Sequence, residues 1–146
     1  MIRMRESSLY PIISELFSED HHIFLEYGVQ DCSRRAIDVL CVKKERVKPE
    51  ILAIEAKISN WKIGFRQAFS RLFYVDRSYI AICCEYVNKV DCEILKKHGI
   101  GLITVDGSAK VIINAERSDK TMKRRKEMIL QDIMKRLEYD ETKNIL

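Results

Sequence analysis

Three ionisable residues occupy positions where apolar residues are expected. Glu55 and Lys57 lie two positions apart in the run ILAIEAK (residues 51–57), and Asp38 lies in the earlier run RAIDVLCVK (residues 35–43). Both runs are rich in branched apolar residues, which is typical of buried strands. Two carboxylates beside a lysine could bind a divalent cation or transfer protons, provided that the fold brings them together.

The polar connector between these runs, KERVKP (residues 44–49), predicts a hairpin. If Lys43 is the last residue before the loop and Glu50 the first after it, antiparallel pairing places Asp38 opposite Glu55. Directly opposed residues have Cβ atoms about 5 Å apart. Lys57 projects to the same face as Glu55, because side chains alternate along a strand. A slip by one residue or a bulge would separate the three, so the cluster depends on the register.

The three charged residues have two interpretations, a metal site and a surface ion pair. In a partly apolar setting the two carboxylates repel each other, and one takes up a proton unless a cation lies between them. Mg²⁺ suits such a pair, since it binds few carboxylates and keeps positions open for water and phosphate oxygens. The simpler interpretation is that Glu55 and Lys57 form a surface ion pair of little energetic value. The apolar flanks and the placement of Asp38 favour the metal site.

Hydrophobic periodicity predicts the elements that must position this cluster. We expect helices over residues 8 to about 17, from 59 or 60 to about 76, 90–97 and about 121–139, and strands over residues 23–29, 35–43, 50–57, 79–84, 100–105 and 110–114. Three sequential strands favour an antiparallel meander, and strands separated by helices favour right-handed parallel crossovers. The fold class is therefore expected to be α/β, with a central mixed β-sheet flanked by helices.

The composition restricts the class of protein. A chain of 146 residues, of which 47% are hydrophobic and 33% charged, predicts a single globular domain over residues 1–146. The net charge of +4 slightly favours polyanionic partners. No apolar run has the length of a signal peptide or a membrane span, so we expect a cytoplasmic protein without a membrane partner. The 5 cysteines lack a C-x-x-C spacing and are read as buried thiols.

The order of these residues resembles a known family. Asp38, a connector and then Glu55-Ala56-Lys57, with a helix before and after the three strands, resembles the PD-(D/E)XK nuclease superfamily, which has the restriction-endonuclease-like fold. The α-β-β-β-α-β order over residues 8–84 is similar to that family's core, and HGIGLITVD (residues 98–106) is similar to its closing helix-to-strand passage. One departure is Ile37, which stands where many members have Pro.

The resemblance implies a metal-dependent nuclease, most readily a DNA endonuclease, with Mg²⁺ or Mn²⁺ as cofactor. Asp38 and Glu55 would bind the metal together with the backbone carbonyl of Ala56. Lys57 would orient or deprotonate the water that attacks the phosphodiester in an in-line hydrolysis. Because a small nuclease often needs two copies to cut two strands, a homodimer is a further arrangement to consider.

Two supporting residues are also implied by the resemblance. Glu15, on the first helix, matches a position where many members, including Holliday junction resolvases, carry a metal-site Glu; the alternative is an ordinary exposed acid. Gln67, on the helix after the motif, matches a position where a polar side chain often reaches the site. The recombination-nuclease branch usually has Q-x-x-x-Y here, whereas this chain has Arg71 in the last position. An iron–sulfur variant is disfavoured, because the cysteines lack a ligand spacing.

Basic residues near the motif predict contact with nucleic acid, since clustered cations favour polyanions. A solvated helix face is the alternative for the run KTMKRRK (residues 120–126), which begins a basic C-terminal helix at about 120–139. Trp61 could stack on a base or simply pack at the start of its helix. The candidates for nucleic-acid binding are Arg34, Arg35, Trp61, Lys62, Arg66, Lys123, Arg124, Arg125 and Lys126.

Two alternatives to a nuclease remain open. A nucleic-acid-binding or regulatory module could keep the fold without turnover, although the presence of all three motif residues argues against a degenerate relative. An unrelated α/β protein could carry E-x-K by chance. The sequence does not distinguish DNA from RNA, and it does not identify a preferred nucleic-acid structure.

Overall fold

The computed structural model describes residues 4–29 and 35–145 of the chain. Its centre is a six-stranded sheet in which the strands lie in sequential order. The strands are β1 (His21–Tyr27), β2 (Ile37–Lys43), β3 (Ile51–Lys57), β4 (Arg77–Cys83), β5 (Gly101–Val105) and β6 (Ala109–Ile113). The α-helices are α1 (Tyr10–Phe17), α2 (Trp61–Arg71), α3 (Cys92–Lys97) and α4 (Lys123–Ile145), and 3₁₀ turns form at Glu6–Leu9 and Cys84–Lys89.

The strand directions confirm the expected mixed sheet. β1, β2 and β3 form an antiparallel meander, β3, β4 and β5 run parallel, and β6 is antiparallel to β5. Short loops suffice for the antiparallel pairs, whereas the parallel pairs need crossovers, which α2 and α3 supply. The fold is therefore α/β, as the sequence predicts.

Helices cover both faces of the sheet. Side chains of β3 alternate between the two faces, and so they belong to two different cores. Leu52, Ile54 and Ala56 belong to the core that includes α1. Ile51 and Ala53, one residue out of phase, belong to the core that includes α4. On that second face, α2 and α3 pack against β4 and β5. Since both faces are covered, a charged residue at the end of β3 is surrounded by protein on several sides.

The predicted hairpin register is confirmed. Val39 pairs with Ile54 and Val42 pairs with Ile51, and the loop closes where Lys43 N–H donates to the Glu50 carbonyl at 2.9 Å. Continuing this register by one residue sets Asp38 opposite Glu55, as the sequence argument requires.

Several boundaries shift by about two residues, as in β1 and β4, and the ends of two helices differ most from the expectation. α2 begins after the Asn60 cap, whose side chain accepts from Ile63 N–H, but it ends at Arg71 rather than near residue 76. The chain turns there, because Asp76 N–H donates to the Ile51 carbonyl and so joins the sheet. α4 runs to Ile145, beyond the predicted end at about 139. Over residues 4–29 and 35–145, no helix is both long and apolar enough to cross a membrane.

Candidate active site

A cavity opens where β3 ends and β2 begins. Its volume is about 450 Å³. The residues that line it are Glu26, Arg35, Ala36, Asp38, Glu55, Lys57 and Gln67. The fold therefore brings together the three motif residues and Gln67, which the sequence predicts as a supporting residue.

Two hydrogen bonds fix the carboxylate of Asp38. The Tyr10 hydroxyl, at the start of α1, donates to Oδ1 at 3.0 Å, and Ala56 N–H donates to Oδ2 at 2.8 Å. Burial, with the Asp38 charge as the next cause, raises the pKa of Tyr10, so its hydroxyl stays a donor. In an extended strand the N–H and C=O of one residue point to the same edge. The Ala56 carbonyl is therefore directed toward β2.

Glu55 is buried and paired with a guanidinium. Arg71 Nε donates to its Oε1 at 2.8 Å, and the two side chains are only 2% and 3% exposed. Burial raises the pKa of Glu55 to about 7; the Arg71 charge lowers it and the Asp38 charge raises it. The pKa of this carboxyl is therefore raised chiefly because burial removes its charged form from water, and the facing acid adds to the rise.

Arg71 is a site residue that the sequence argument missed. Besides Glu55, its Nη2 donates to the carbonyls of Arg35 and Ala36, each at 3.1 Å. The guanidinium therefore ties α2 to β3 and to the residues just before Asp38. A signal was present in the spacing, since Arg71 follows Gln67 by four residues and so lies on the same helix face.

Gln67 contributes an unsatisfied acceptor. Its amide oxygen Oε1 is buried and has no hydrogen-bond partner within the part of the chain that the structure describes. Buried polar atoms are nearly always paired, so an orphan oxygen on a residue that lines a cavity needs an explanation.

Lys57 meets an acid from the N-terminal region to which the sequence argument assigned no role. Its Nζ lies 3.3 Å from Oε2 of Glu6, in the 3₁₀ turn before α1. Glu15, which the resemblance implies as a metal-site residue, is exposed on α1 and lies outside the cavity lining. The first helix thus reaches the site through Tyr10 and the turn that precedes it.

Glu26 is a third acid at the cavity, and the sequence argument assigned it no role. The β1–β2 pairing places its neighbours Leu25 and Tyr27 beside Val39 and Ile37, so the same register sets Glu26 beside Asp38. Its φ of 49° is uncommon for a residue other than glycine. Three adjacent strands therefore each present one acid at the same level of the sheet.

The donor set fits a hard divalent cation. It consists of the Asp38 and Glu55 carboxylates, the Ala56 carbonyl and the orphan oxygen of Gln67, and Mg²⁺ and Mn²⁺ prefer such oxygen ligands. Within residues 4–29 and 35–145, no group of three or more His, Cys, Asp and Glu side chains is placed to hold a metal ion. The set therefore depends on two carboxylates and neutral oxygens, with positions left for water or substrate.

A second cavity adjoins the first and carries two of the predicted nucleic-acid residues. Its volume is about 360 Å³, and its lining residues are Arg35, Ile63, Arg66, Gln67 and Ser70. Arg35 and Gln67 are shared with the first cavity. The two cavities therefore adjoin as one groove along the start of β2 and α2.

The remaining predicted nucleic-acid residues lie in different surroundings. Lys62 is exposed on α2, and Trp61 packs against the core that α2 and α3 form, which favours the packing interpretation. Arg34 lies outside the described residues.

The basic run of α4 lies near the opposite end of β3. Lys126 Nζ is 2.9 Å from Oδ2 of Asp76, and the same carboxylate accepts from Ile51 N–H at the start of β3. Ile51 and Lys57 are separated by roughly 20 Å at the rise of an extended strand. Arg125 covers the ring of Tyr74 at 4.8 Å. Of the four nucleic-acid candidates on α4, Lys123 and Arg124 are exposed, whereas Arg125 and Lys126 are half-buried.

Comparison with known proteins gives a fold relative. No family model matches the chain, and no curated protein matches it. A solved structure of a protein of unknown function from Silicibacter pomeroyi is similar, with a TM-score of 0.70 and 17% identity over 95% of this chain and 90% of that chain. At this identity the similarity concerns the fold alone.

Proposed function

We propose that this chain is a Mg²⁺- or Mn²⁺-dependent nuclease of the PD-(D/E)XK superfamily, with the restriction-endonuclease-like fold, and that it acts as a DNA endonuclease. The observation that carries the proposal is that Asp38, Glu55 and Lys57 line one cavity. The pairing of β2 with β3 places Asp38 opposite Glu55, so that residues from two strands meet at the cavity. If the E-x-K spacing had arisen by chance, no acid would be expected at the position opposite Glu55.

Each site residue would have its own role in phosphodiester hydrolysis. Asp38, Glu55 and the Ala56 carbonyl would hold the cation, which supplies Lewis-acid polarisation of the scissile phosphate when bound. Asp38 is oriented for this role by Tyr10 and by Ala56 N–H. In the reaction, a water oxygen would bond to phosphorus on the side opposite the leaving oxygen, and the bond to that oxygen would break. The water would give its proton to solvent or a nearby base, and the leaving oxygen would take up a proton from solvent.

Lys57 supports this step from the wall of the cavity. Its ammonium is held by Glu6 at 3.3 Å and is largely buried. From there it can donate hydrogen bonds to the phosphate or to the attacking water, so that the water is oriented and the charge that develops on phosphate oxygens is offset. The adjoining groove with Arg35 and Arg66 would bind the phosphates that flank the scissile one.

A non-catalytic nucleic-acid-binding module is the second candidate. The observation that favours it is the buried pair of Glu55 and Arg71, because a guanidinium already neutralises one carboxylate of the proposed metal site. In such a module the cavity would bind phosphate through its basic residues, without turnover.

Lys57→Ala separates the two candidates. With Mg²⁺ or Mn²⁺ and a panel of single-stranded, duplex and branched DNA and RNA, a nuclease cleaves at least one substrate, and the variant cleaves it about 10²- to 10⁴-fold more slowly. Lys110→Ala, on the edge strand β6, serves as the matched control and keeps the wild-type rate. Binding of the oligonucleotide without cleavage by the wild-type protein at excess enzyme would favour the module.

A further inference from the structure

A third cavity lies between α4 and the loop that joins β2 to β3, and we call it the hairpin cavity. Its volume is about 710 Å³, larger than either cavity at the candidate active site, and it shares no lining residue with them. Val42 lines it and lies four residues along β2 from Asp38, which is roughly 13 Å in an extended strand. The hairpin cavity is therefore separate from the candidate active site.

The apolar part of the lining comes from α4. Leu130, Ile133 and Leu137 recur at helical spacing and belong to the core that also contains Val42. Ile133 is buried, but Leu130 and Leu137 are half-buried and Met134 is 54% exposed. The helix therefore leaves apolar surface uncovered inside the cavity.

The loop between β2 and β3 gives the cavity its charge. The lysine and arginine side chains of the lining are Lys43, Lys44 and Arg46, and its acids are Glu45 and Glu138. Glu45 lies 3.6 Å from Lys43, so these two charges offset each other. Over the part of the chain that the structure describes, no acidic side chain pairs with Lys44 or Arg46, and both are exposed. The cavity thus combines an apolar wall with two bases that have no counterion in the described structure.

Hydrogen bonds hold both sides of the hairpin cavity in place. Lys44 N–H donates to the Asp20 carbonyl at 2.9 Å, and its Nζ donates to the Glu19 carbonyl at 3.4 Å. The carboxylates of Glu19 and Asp20 lie outside the lining. On the other side, Tyr27 of β1 donates to Asp132 of α4 at 2.6 Å. Because the loop and the helix are both tied to the β1 region, a ligand would not have to order the walls of its site.

We propose that the hairpin cavity binds a small amphiphilic anion, which is an apolar chain or ring that ends in a carboxylate or a phosphate. Ligand cavities commonly have volumes of about 300–1,000 Å³ and apolar walls with few polar groups. The apolar body packs on Leu130, Met134 and Leu137, and the anionic end pairs with Lys44 and Arg46, since hydrogen bonds between charged groups are strong. The inference is independent of the proposed function.

A nucleic-acid strand suits this cavity less well than a small amphiphile. Bases that lie against a protein wall usually stack on aromatic rings, and the described lining includes no Phe, Tyr or Trp. A strand also carries a charge at every phosphate, whereas Lys44 and Arg46 can meet only one or two of them. A single anionic group with an apolar body matches both parts of the lining.

The test is isothermal titration calorimetry of the whole chain with three probes of equal chain length, which are decanoate, decyl phosphate and the uncharged decanol. Each is used below the concentration at which it aggregates. We expect decanoate and decyl phosphate to bind at one site per chain. Decanol should bind about tenfold more weakly, because it lacks the charge that pairs with the two bases.

Two variants locate the site. Met134→Trp places a larger side chain at the cavity, so all three probes should bind about tenfold more weakly. The double variant Lys44→Gln, Arg46→Gln removes two exposed charges, so it should weaken decanoate and decyl phosphate binding by about tenfold and leave decanol binding unchanged. The matched control, Lys96→Gln with Lys110→Gln, removes two exposed lysine charges on α3 and β6 and should keep all three affinities.

Several results would overturn the proposal. These are equal affinities for decanoate and decanol, no decanoate binding up to about 1 mM, or an unchanged decanoate affinity in Met134→Trp. Two other occupants are tested with the same variant. If the wild-type protein is a dimer in sedimentation velocity and Met134→Trp is a monomer, a second copy of the chain fills the cavity. If the wild-type protein sediments with anionic phospholipid vesicles and Met134→Trp does not, a membrane surface fills it. Either result overturns binding of a small amphiphile.

Discussion

A charged cluster lies near each end of β3, and the two clusters are built differently. Near the start of the strand, Asp76 accepts from Ile51 N–H at 2.8 Å and from Lys126 Nζ at 2.9 Å, and α4 is thereby tied to the sheet. Near the other end, Glu55 pairs with Arg71 at 2.8 Å, but the surrounding polar groups open into a cavity of about 450 Å³.

The contrast shows which buried charges indicate a site. Glu55 and Asp76 are both buried acids paired with a base, so burial and pairing alone do not separate structure from function. The Asp76 cluster is closed by its own partners. The other cluster keeps an orphan oxygen on Gln67, as far as the described residues show, and burial raises the pKa of Glu55 against the lowering effect of Arg71. An unsatisfied oxygen on a residue that lines a cavity points to a ligand.

The largest expected effect is on the cleavage rate, when one acid near each end of β3 is replaced by its amide. Asp38→Asn should lower Mg²⁺-dependent cleavage roughly 10³-fold, because a metal centre contributes several kcal/mol to the transition state. Asp76→Asn should leave the rate per folded molecule unchanged. Rates measured well below the unfolding temperature of each variant check this, and equal losses in both variants would erase the distinction between the two ends.

The second effect is on stability, and it concerns the Asp76 cluster near the start of β3. Asp76→Ala leaves Lys126 and Ile51 N–H without their acceptor, so the free energy of unfolding should fall by about 3 kcal/mol, the low end for a broken buried pair because Lys126 is partly exposed. Urea denaturation measures the change. The control is Asp119→Ala, since the Asp119 side chain is 90% exposed and its ion pair with Lys120 should contribute little. A similar loss in both variants would contradict the structural role of Asp76.

The third effect is a pH dependence at the cavity end. Burial raises the pKa of Glu55 from 4.5 to about 7, so between these values the folded state keeps a proton that the unfolded state has lost. Stability conferred by the protonated group is therefore lost as the pH rises through this window, by at most about 1.4 kcal/mol per pH unit. Relative to Glu55→Gln, which cannot titrate there, the wild-type free energy of unfolding should decline over this range and level off above it. A constant difference would show that the carboxyl is ionised throughout.

The smallest effect separates two buried tyrosines. Tyr10 donates to Asp38 at the cavity, and Tyr27 donates to Asp132 of α4 at 2.6 Å. Each substitution by Phe should cost about 1 kcal/mol of stability, the usual value of a hydrogen bond. Only Tyr10→Phe should also slow cleavage, by about tenfold, because it frees a ligand's carboxylate to rotate. Paired denaturation and cleavage assays decide the matter; an equal loss of rate in Tyr27→Phe would refute the positioning role.

Much of this arrangement was readable from the sequence. The hairpin register followed from one polar connector between two apolar runs, and it correctly set Asp38 beside Glu55. The mixed sheet followed from strand spacing, because short loops and helical crossovers permit different strand directions.

What the sequence did not reveal depends on tertiary approach. Arg71 looks like a surface base, and only the packing of α2 on β3 buries it against Glu55. Glu6 meets Lys57 from the 3₁₀ turn before α1, whereas Glu15, implied as a metal-site residue, is exposed on α1. The φ of Glu26 likewise has no sequence signature. None of these contacts follows from periodicity, since each joins elements whose relative placement the pattern leaves open.

The most direct measurement is the location of Mn²⁺ on the protein by nuclear magnetic resonance. With a phosphorothioate duplex present, a substoichiometric amount of Mn²⁺ should broaden the amide signals of Ala56, Lys57 and Gln67 most strongly. Those of Ile51 and Asp76, near the other end of β3, should be affected far less, since they lie roughly 20 Å away along the strand. Strongest broadening around Asp76, or equal broadening near both ends, would contradict a cation site formed by Asp38 and Glu55.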